Sequence, residues 1–165
     1  MKIGALPRGS MMTSSVMKAS ANARQFIPSA YRPAGIRWKE MAKKTEDLLW
    51  KLAESDEVEI ETRRDAKSPL HRTTIWIAPT EYGVYIRSYK GKKGRWYQEA
   101  IANPRVTIRV GRRKATARAE PEHNPLVVRA VNAGYRKKYG ERWPEETKEM
   151  FKRSILPTTL RLTPL

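Results

Sequence analysis

The chain contains no cysteine. That removes disulfides, thiolate nucleophiles and Cys-ligated zinc or iron–sulfur clusters, and it suits a reducing compartment, so a cytoplasmic location is the expectation. Histidine is nearly as scarce. His71 and His123 are the only two; neither stands at metal-ligand spacing from another donor, and each reads as a surface or packing residue. No P-loop, no dinucleotide-binding glycine fingerprint and no nucleophile beside a base is present, so the sequence offers none of the motifs of those chemistries. No apolar run approaches the roughly 18 residues that a membrane-spanning helix needs. Acidic residues are missing from a whole segment, because none occurs before Glu40.

That acid-free segment is rich in Ser, Ala and Pro (Ser14, Ser15, Ser20, Pro28, Ser29, Pro33) and reads as a basic, disordered arm over residues 1–37, leaving a folded domain over 38–165. What the chain has in excess is positive charge. Its 34 Lys and Arg against 17 Asp and Glu give a net +17, with a pI near 10.4. Such a balance attracts polyanions and predicts weak, non-specific nucleic-acid binding at low salt, without choosing among phosphorylated partners. A length of 165 residues with 39% hydrophobic and 31% charged residues suits one soluble domain with a core of its own.

Periodicity begins at Trp38. Trp38, Met41, Thr45, Leu48, Leu49 and Leu52 recur at helical spacing opposite a lysine-rich face, predicting an amphipathic helix that covers one side of a sheet. Alternation then predicts strands at Val58–Thr62, Thr73–Ile77 and Val84–Ile86. A short helix follows over residues 96–103, closed by Asn103 in a left-handed conformation before Pro104. A hairpin comes next, Val106–Val110 and Ala115–Ala119, whose three alanines share one face. Asn124-Pro125 caps a helix with an apolar stripe ending at Tyr135 and Tyr139, Pro144 opens another, and Leu160 and Leu162 mark a closing strand. Six short antiparallel strands with helices outside must curl into a barrel or leave open edges.

The stretch Arg87–Ala100 (RSYKGKKGRWYQEA) collects cations at a strand-to-helix turn. Arg87, Lys90, Lys92, Lys93 and Arg95 offer charged donors, Ser88 adds a hydroxyl, and Gly91 and Gly94 let backbone amides approach closely. The following helix turns its positive end toward the loop. This is the pattern of a phosphate site.

The RTTIWI and GVYIRS strands, the GRWY helix start, the ANPRVTIRVG hairpin, the AGYRKKYG helix end and the TTLRLTPL terminus, in this order, resemble the domain-of-unknown-function 2255 family. That family is similar to the flavin-binding split-barrel superfamily, which includes pyridoxamine phosphate oxidases and deazaflavin-dependent reductases. The resemblance spans Trp38–Leu165. It implies a mainly β fold with peripheral helices, a six-stranded antiparallel split β-barrel, acting as a homodimer with a phosphorylated flavin between subunits. It implies an oxidoreductase of open substrate whose cofactor is FMN, with a deazaflavin, or no cofactor, as the alternatives. Carried over by position, Arg72, Thr73, Thr74, Ile75 and Trp76 would run along the flavin ring. Arg87, Ser88 and Arg95 would bind its phosphate, with Lys90 and Trp96 beside them. The chain departs from the oxidases in placing Trp96 where they commonly carry a second cation, and Thr74 and Trp76 in a usually aliphatic strand.

The alternative class is a basic nucleic-acid-binding barrel without redox activity. Such barrels interleave exposed aromatics with cations, and Tyr85, Tyr89, Tyr97 and Arg109 are the residues that would do so here.

Overall fold

Apolar residues at every second position fix the face each strand buries, and seven strands result. The computed structural model describes the backbone from Ile36 to Leu165 and the side chains from Lys39. The arm expected over residues 1–37 lies outside the described residues except for Ile36 and Arg37, which open helix α1 (Ile36–Ala53). Next come β1 (Val58–Thr62), β2 (His71–Ile75), β3 (Ile77–Thr80) and β4 (Gly83–Ile86). A 3-10 turn at Gly91–Lys93 leads into α2 (Arg95–Ala102), followed by the hairpin β5 (Arg105–Val110) and β6 (Arg113–Pro121). Helices α3 (Pro125–Tyr139) and α4 (Pro144–Glu149) precede a second 3-10 turn, Leu156–Thr158, and β7 (Leu160–Pro164).

All seven strands form one antiparallel sheet in the order β2-β1-β5-β6-β7-β4-β3. Its two end strands, β2 and β3, are consecutive in the chain and separated only by Trp76. A flat sheet would hold them far apart, so this one must curl until its ends meet at that residue, which makes a split barrel. The count of seven against the expected six has the same origin. The stretch anticipated as one strand, Thr73–Ile77, breaks at Trp76 and pairs with β1 on one side of the break and with β4 on the other.

The barrel interior is lined by Ile60, Ile77, Ile86, Ile108 and Leu160, all fully buried. Each such side chain contributes roughly 1.5–3 kcal/mol by leaving water. Leu49, Leu52 and Ala53 of α1 and Trp96, Tyr97 and Ala100 of α2 join the same cluster, as do the three alanines of β6. Plain packing against neighbouring side chains therefore accounts for their small size. A second cluster forms on the opposite face of β3 and β4. There Ala78 and Tyr85 meet Val127, Val131, Tyr135 and Tyr139 of α3, with Met150 and Ile155 beyond.

Asn124 caps α3 as its sequence predicts, its Oδ1 accepting from Leu126 N at 3.0 Å. Asn103 does not adopt the left-handed conformation; it sits at φ −138°, ψ 100°. The proline that follows explains this, because its ring pushes the preceding residue into the extended region.

Candidate functional site

The loop between β4 and α2 is built by three glycine-dependent contacts and one buried arginine. Gly91 takes φ +63°, a conformation that L side chains rarely adopt, and its amide donates to Ser88 O at 2.8 Å. Gly94 N–H returns to Gly91 O at 3.2 Å and Gly94 caps α2 without any side-chain hydrogen bond. A Cβ at Gly94 would stand 2.3 Å from Ser88 Oγ. Only glycine therefore lets the Ser88 hydroxyl abut the helix start. That hydroxyl is fully buried and has no hydrogen-bond partner among the described residues. No acid occupies the first turn of α2, so the positive end of the helix is not countered locally. Lys90, Lys92, Lys93 and Arg95 are exposed around this turn. No carboxylate pairs with them among the described residues.

Arg87 departs from the role that the sequence suggests. It is 1% exposed. Its Nε donates to Thr159 Oγ1 at 2.8 Å, Nη1 to Asn132 Oδ1 at 2.6 Å and Met150 O at 3.2 Å, and Nη2 to Val128 O at 3.2 Å. The guanidinium also lies 5.4 Å from the Tyr135 ring centroid. Burial pulls its pKa below the usual arginine value and pushes that of the Tyr135 hydroxyl up. A guanidinium whose donors are taken by the fold has little left for a ligand, so Arg87 is a tether between β4, α3 and the segment before β7. Trp96, expected beside a phosphate, is 6% exposed and packs edge-on to Tyr97 in the barrel core.

The residues carried over to the ring strand divide between the two faces of β2. Ile75 points into the core and Thr73 is half-buried, while Arg72 and Thr74 face outward. Arg72 Nε donates to Glu61 Oε1 at 2.8 Å, and Arg109 Nε donates to the same oxygen at 2.9 Å. Trp76 stacks on Tyr139 with ring centroids 4.2 Å apart and planes 4° from parallel, which is a packing role. Among the described strands β2 pairs only with β1, so its other edge keeps free backbone donors and acceptors.

The interleaved aromatics of the nucleic-acid reading do not form a surface. Tyr85 is 0% and Tyr97 8% exposed, and Arg109 is engaged by Glu61. Only Tyr89 is open, at 53%.

One cluster carried no local signal in the sequence. Glu99, on α2, is buried and accepts from Thr62 Oγ1 at 2.7 Å through Oε2 and from His71 Nδ1 at 2.7 Å through Oε1. His71 is thus held by a carboxylate that lies far from it in the chain. Among the described residues no group of His, Asp and Glu is arranged to hold a metal ion, and no helix is long and apolar enough to cross a membrane.

Among solved structures, the chain resembles HutZ, the heme storage protein of Vibrio cholerae, with a TM-score of 0.52 at 16% identity over 73% of this chain and 90% of that one. Campylobacter jejuni ChuZ gives 0.57 at 11% identity, covering 96% of this chain and 63% of its own. A candidate pyridoxamine 5'-phosphate oxidase from Listeria innocua gives 0.50 at 15% identity over 73% and 93%. At these identities the likeness shows the fold alone, a split barrel. No functionally curated protein matches the chain. Residues 48–162 match the family DUF2255, described as "Uncharacterized protein conserved in bacteria". With most of the chain so matched, and with a barrel closed at Trp76, the protein belongs to the DUF2255 family.

Proposed function

We propose that the protein is a flavin-type split-barrel protein, an oxidoreductase or cofactor carrier, that holds the phosphate of FMN at the loop between Ser88 and Arg95 and the flavin ring along β2. The observation that carries this reading is the Ser88 hydroxyl, buried without a partner among the described residues against the start of α2, where no side chain caps the helix. An unpaired buried hydroxyl costs free energy that a ligand oxygen relieves. Arg95 and Lys90 then neutralise the phosphate, and the first-turn amides of α2 donate to it. Arg87 holds the loop from behind and does not touch the ligand. The open edge of β2 offers donors and acceptors to the polar rim of a ring. A bound flavin brings its own hydride and electron chemistry, so the chain needs to supply position and charge but no catalytic side chain. A deazaflavin carries the same phosphate requirement and is the alternative ligand.

A homodimer completes this site. It draws on the family resemblance and on the uncovered edge of β2, and it predicts sedimentation at twice 19.0 kDa. A cytoplasmic location goes with this reading.

The test is titration of the full chain with FMN and with riboflavin, which lacks the phosphate. FMN binds more tightly, and Arg95→Ala weakens it by about ten- to a hundredfold, since a charge-assisted bond contributes about 1.5–3 kcal/mol. Lys92→Ala at the loop tip does much less. Equal binding of the two flavins, or an Arg95→Ala protein that matches wild type, sinks the phosphate site. The Vibrio neighbour is described as a heme storage protein, so hemin is titrated alongside; hemin binding without flavin binding overturns the reading.

A further inference from the structure

The far end of α2 from the proposed flavin loop borders a second basic site. A cleft of about 600 Å³ opens between the loop that joins β1 to β2, the C-terminal end of α2 and the start of β5. Arg63, Arg64 and Arg105 all line it. None of the three has a carboxylate within ion-pair distance or a side-chain hydrogen bond among the described residues. The acids in the same wall are already engaged. Glu61 accepts from Arg72 and Arg109. Asp65 Oδ1 accepts the amides of Lys67 at 2.8 Å and Ser68 at 2.9 Å, and those bonds, with a smaller contribution from the charge of the neighbouring Arg64, hold its carboxyl below the usual carboxylate range.

Arg105 also stands directly opposite Arg118 in the β5–β6 register. Like charges so placed cost stability unless an anion lies near them. Arg118 has Glu120 at 3.2 Å, whereas Arg105 has no such partner among the described residues. The rest of the wall is partly apolar, with Leu70 45% exposed and Ala66, Ala102 and Pro104 alongside Asn103 and Thr107. Three guanidinium groups without an ion pair, beside a partly apolar wall, suit one kind of ligand, a phosphate ester with a hydrophobic body, because the planar fork matches phosphate oxygens and the cleft lies within the size range of small-molecule sites.

We propose that this cleft binds a small organic phosphate, at a site separate from the flavin loop. The two lie at opposite ends of α2, a helix of 8 residues, and so about 12 Å apart along its axis.

Phenyl phosphate is the probe, titrated calorimetrically into the full chain at about 0.15 M salt, with phenol and a thymidine oligonucleotide as the other arms. Phenyl phosphate saturates one site and phenol does not bind. Arg64→Gln and Arg105→Gln each weaken it about tenfold. Arg112→Gln and Arg113→Gln remove the same charge at the β5–β6 hairpin tip, outside the cleft, and leave binding unchanged. Arg95→Ala leaves it unchanged too. Loss in Arg95→Ala alone would move the phosphate to the flavin loop and overturn the cleft while sparing the function proposed above. Equal weakening by all four Gln variants would reduce the effect to net charge. An oligonucleotide that binds more tightly than phenyl phosphate and is lost in the same two variants would replace the small ligand with a nucleic-acid backbone.

Discussion

Arg87 and Arg95 flank the same loop and read alike in the sequence, yet they occupy opposite environments. Arg87 leaves β4 into the layer between the sheet and α3 and is sealed there by Thr159, Asn132 and two backbone carbonyls. Arg95 opens α2 and stays in solvent. The difference comes from the pleat: β4 ends just before Arg87, and the alternation that sends Ile86 into the barrel sends the next side chain outward, under α3. A cation placed there must bring its own solvation, and the neutral oxygens of α3 and of the segment before β7 provide it. The loop therefore separates two jobs, holding the fold together and presenting charge, between two residues of one type.

The largest effect expected from this contrast is on stability. Arg87→Ala removes the donor to four oxygens, those of Thr159 and Met150 buried and those of Asn132 and Val128 half-buried, and should cost about 3–5 kcal/mol in urea unfolding, while Arg95→Ala should stay within about 0.5 kcal/mol of wild type. Similar losses for both variants would break the comparison. Arg87→Lys tests the fork itself, because an ammonium cannot reach the same spread of acceptors.

A second cation, half-buried, should show an intermediate effect. Lys138 Nζ donates to Ala53 O at 2.7 Å, Ser55 O at 2.6 Å and Ile77 O at 3.0 Å, fastening α3 to the end of α1 and the start of β3. Lys138→Met removes the donor to Ala53 O and Ser55 O, while Ile77 O keeps the Tyr139 hydroxyl at 3.2 Å, and should cost about 2–3 kcal/mol, read as a lower melting temperature. Burial pulls the Lys138 pKa down to about 8, with Asp56 opposing, from the 10.5 of the free side chain. A folded-state pKa below the unfolded one means that the unfolded chain binds more protons between those values. The contribution of Lys138 should therefore rise with pH from about 8 toward 10.5, and be lost as pH falls back through about 8. Urea midpoints of wild type and Lys138→Met across that window check the sign, and parallel curves would refute it.

How much of this was readable beforehand depends on the reach of each interaction. The strands were legible because Val106 and Ile108, or Leu160 and Leu162, state their face within four residues. The α3 cap was legible because Asn124 and Pro125 are adjacent. The convergence of Ser88 and Gly94 was legible too, since one short loop contains both. The tether at Arg87 was not, because Asn132 and Thr159 enter from distant elements and nothing near Arg87 announces them. The Thr62–Glu99–His71 cluster was hidden for the same reason, and His71 read as a lone residue. Trp76 could be assigned to a strand but not to the break that closes the barrel, because that break depends on β1 and β4 claiming opposite halves of one extended segment.

The smallest effect is the one that sharpens the contrast most. Ser88 stands next to Arg87, equally buried, but its hydroxyl has no partner among the described residues while the guanidinium beside it makes four hydrogen bonds. If that hydroxyl is there only for packing, removing it relieves a desolvated group and changes little else. Ser88→Ala should then raise stability in the absence of ligand by about 1 kcal/mol, since an unsatisfied buried polar atom costs about 1–3 kcal/mol and the lost packing offsets part of that. The proposed function adds a second expectation, that the same substitution weakens FMN several-fold and leaves riboflavin unaffected. Opposite signs in the two measurements, a higher melting temperature with weaker FMN binding, would identify a hydroxyl kept for a ligand at a cost to the fold. A loss of stability would mean instead that Ser88 Oγ has a partner in solution, and a gain with FMN binding unchanged would leave Arg95 and the helix amides as the whole of the phosphate site.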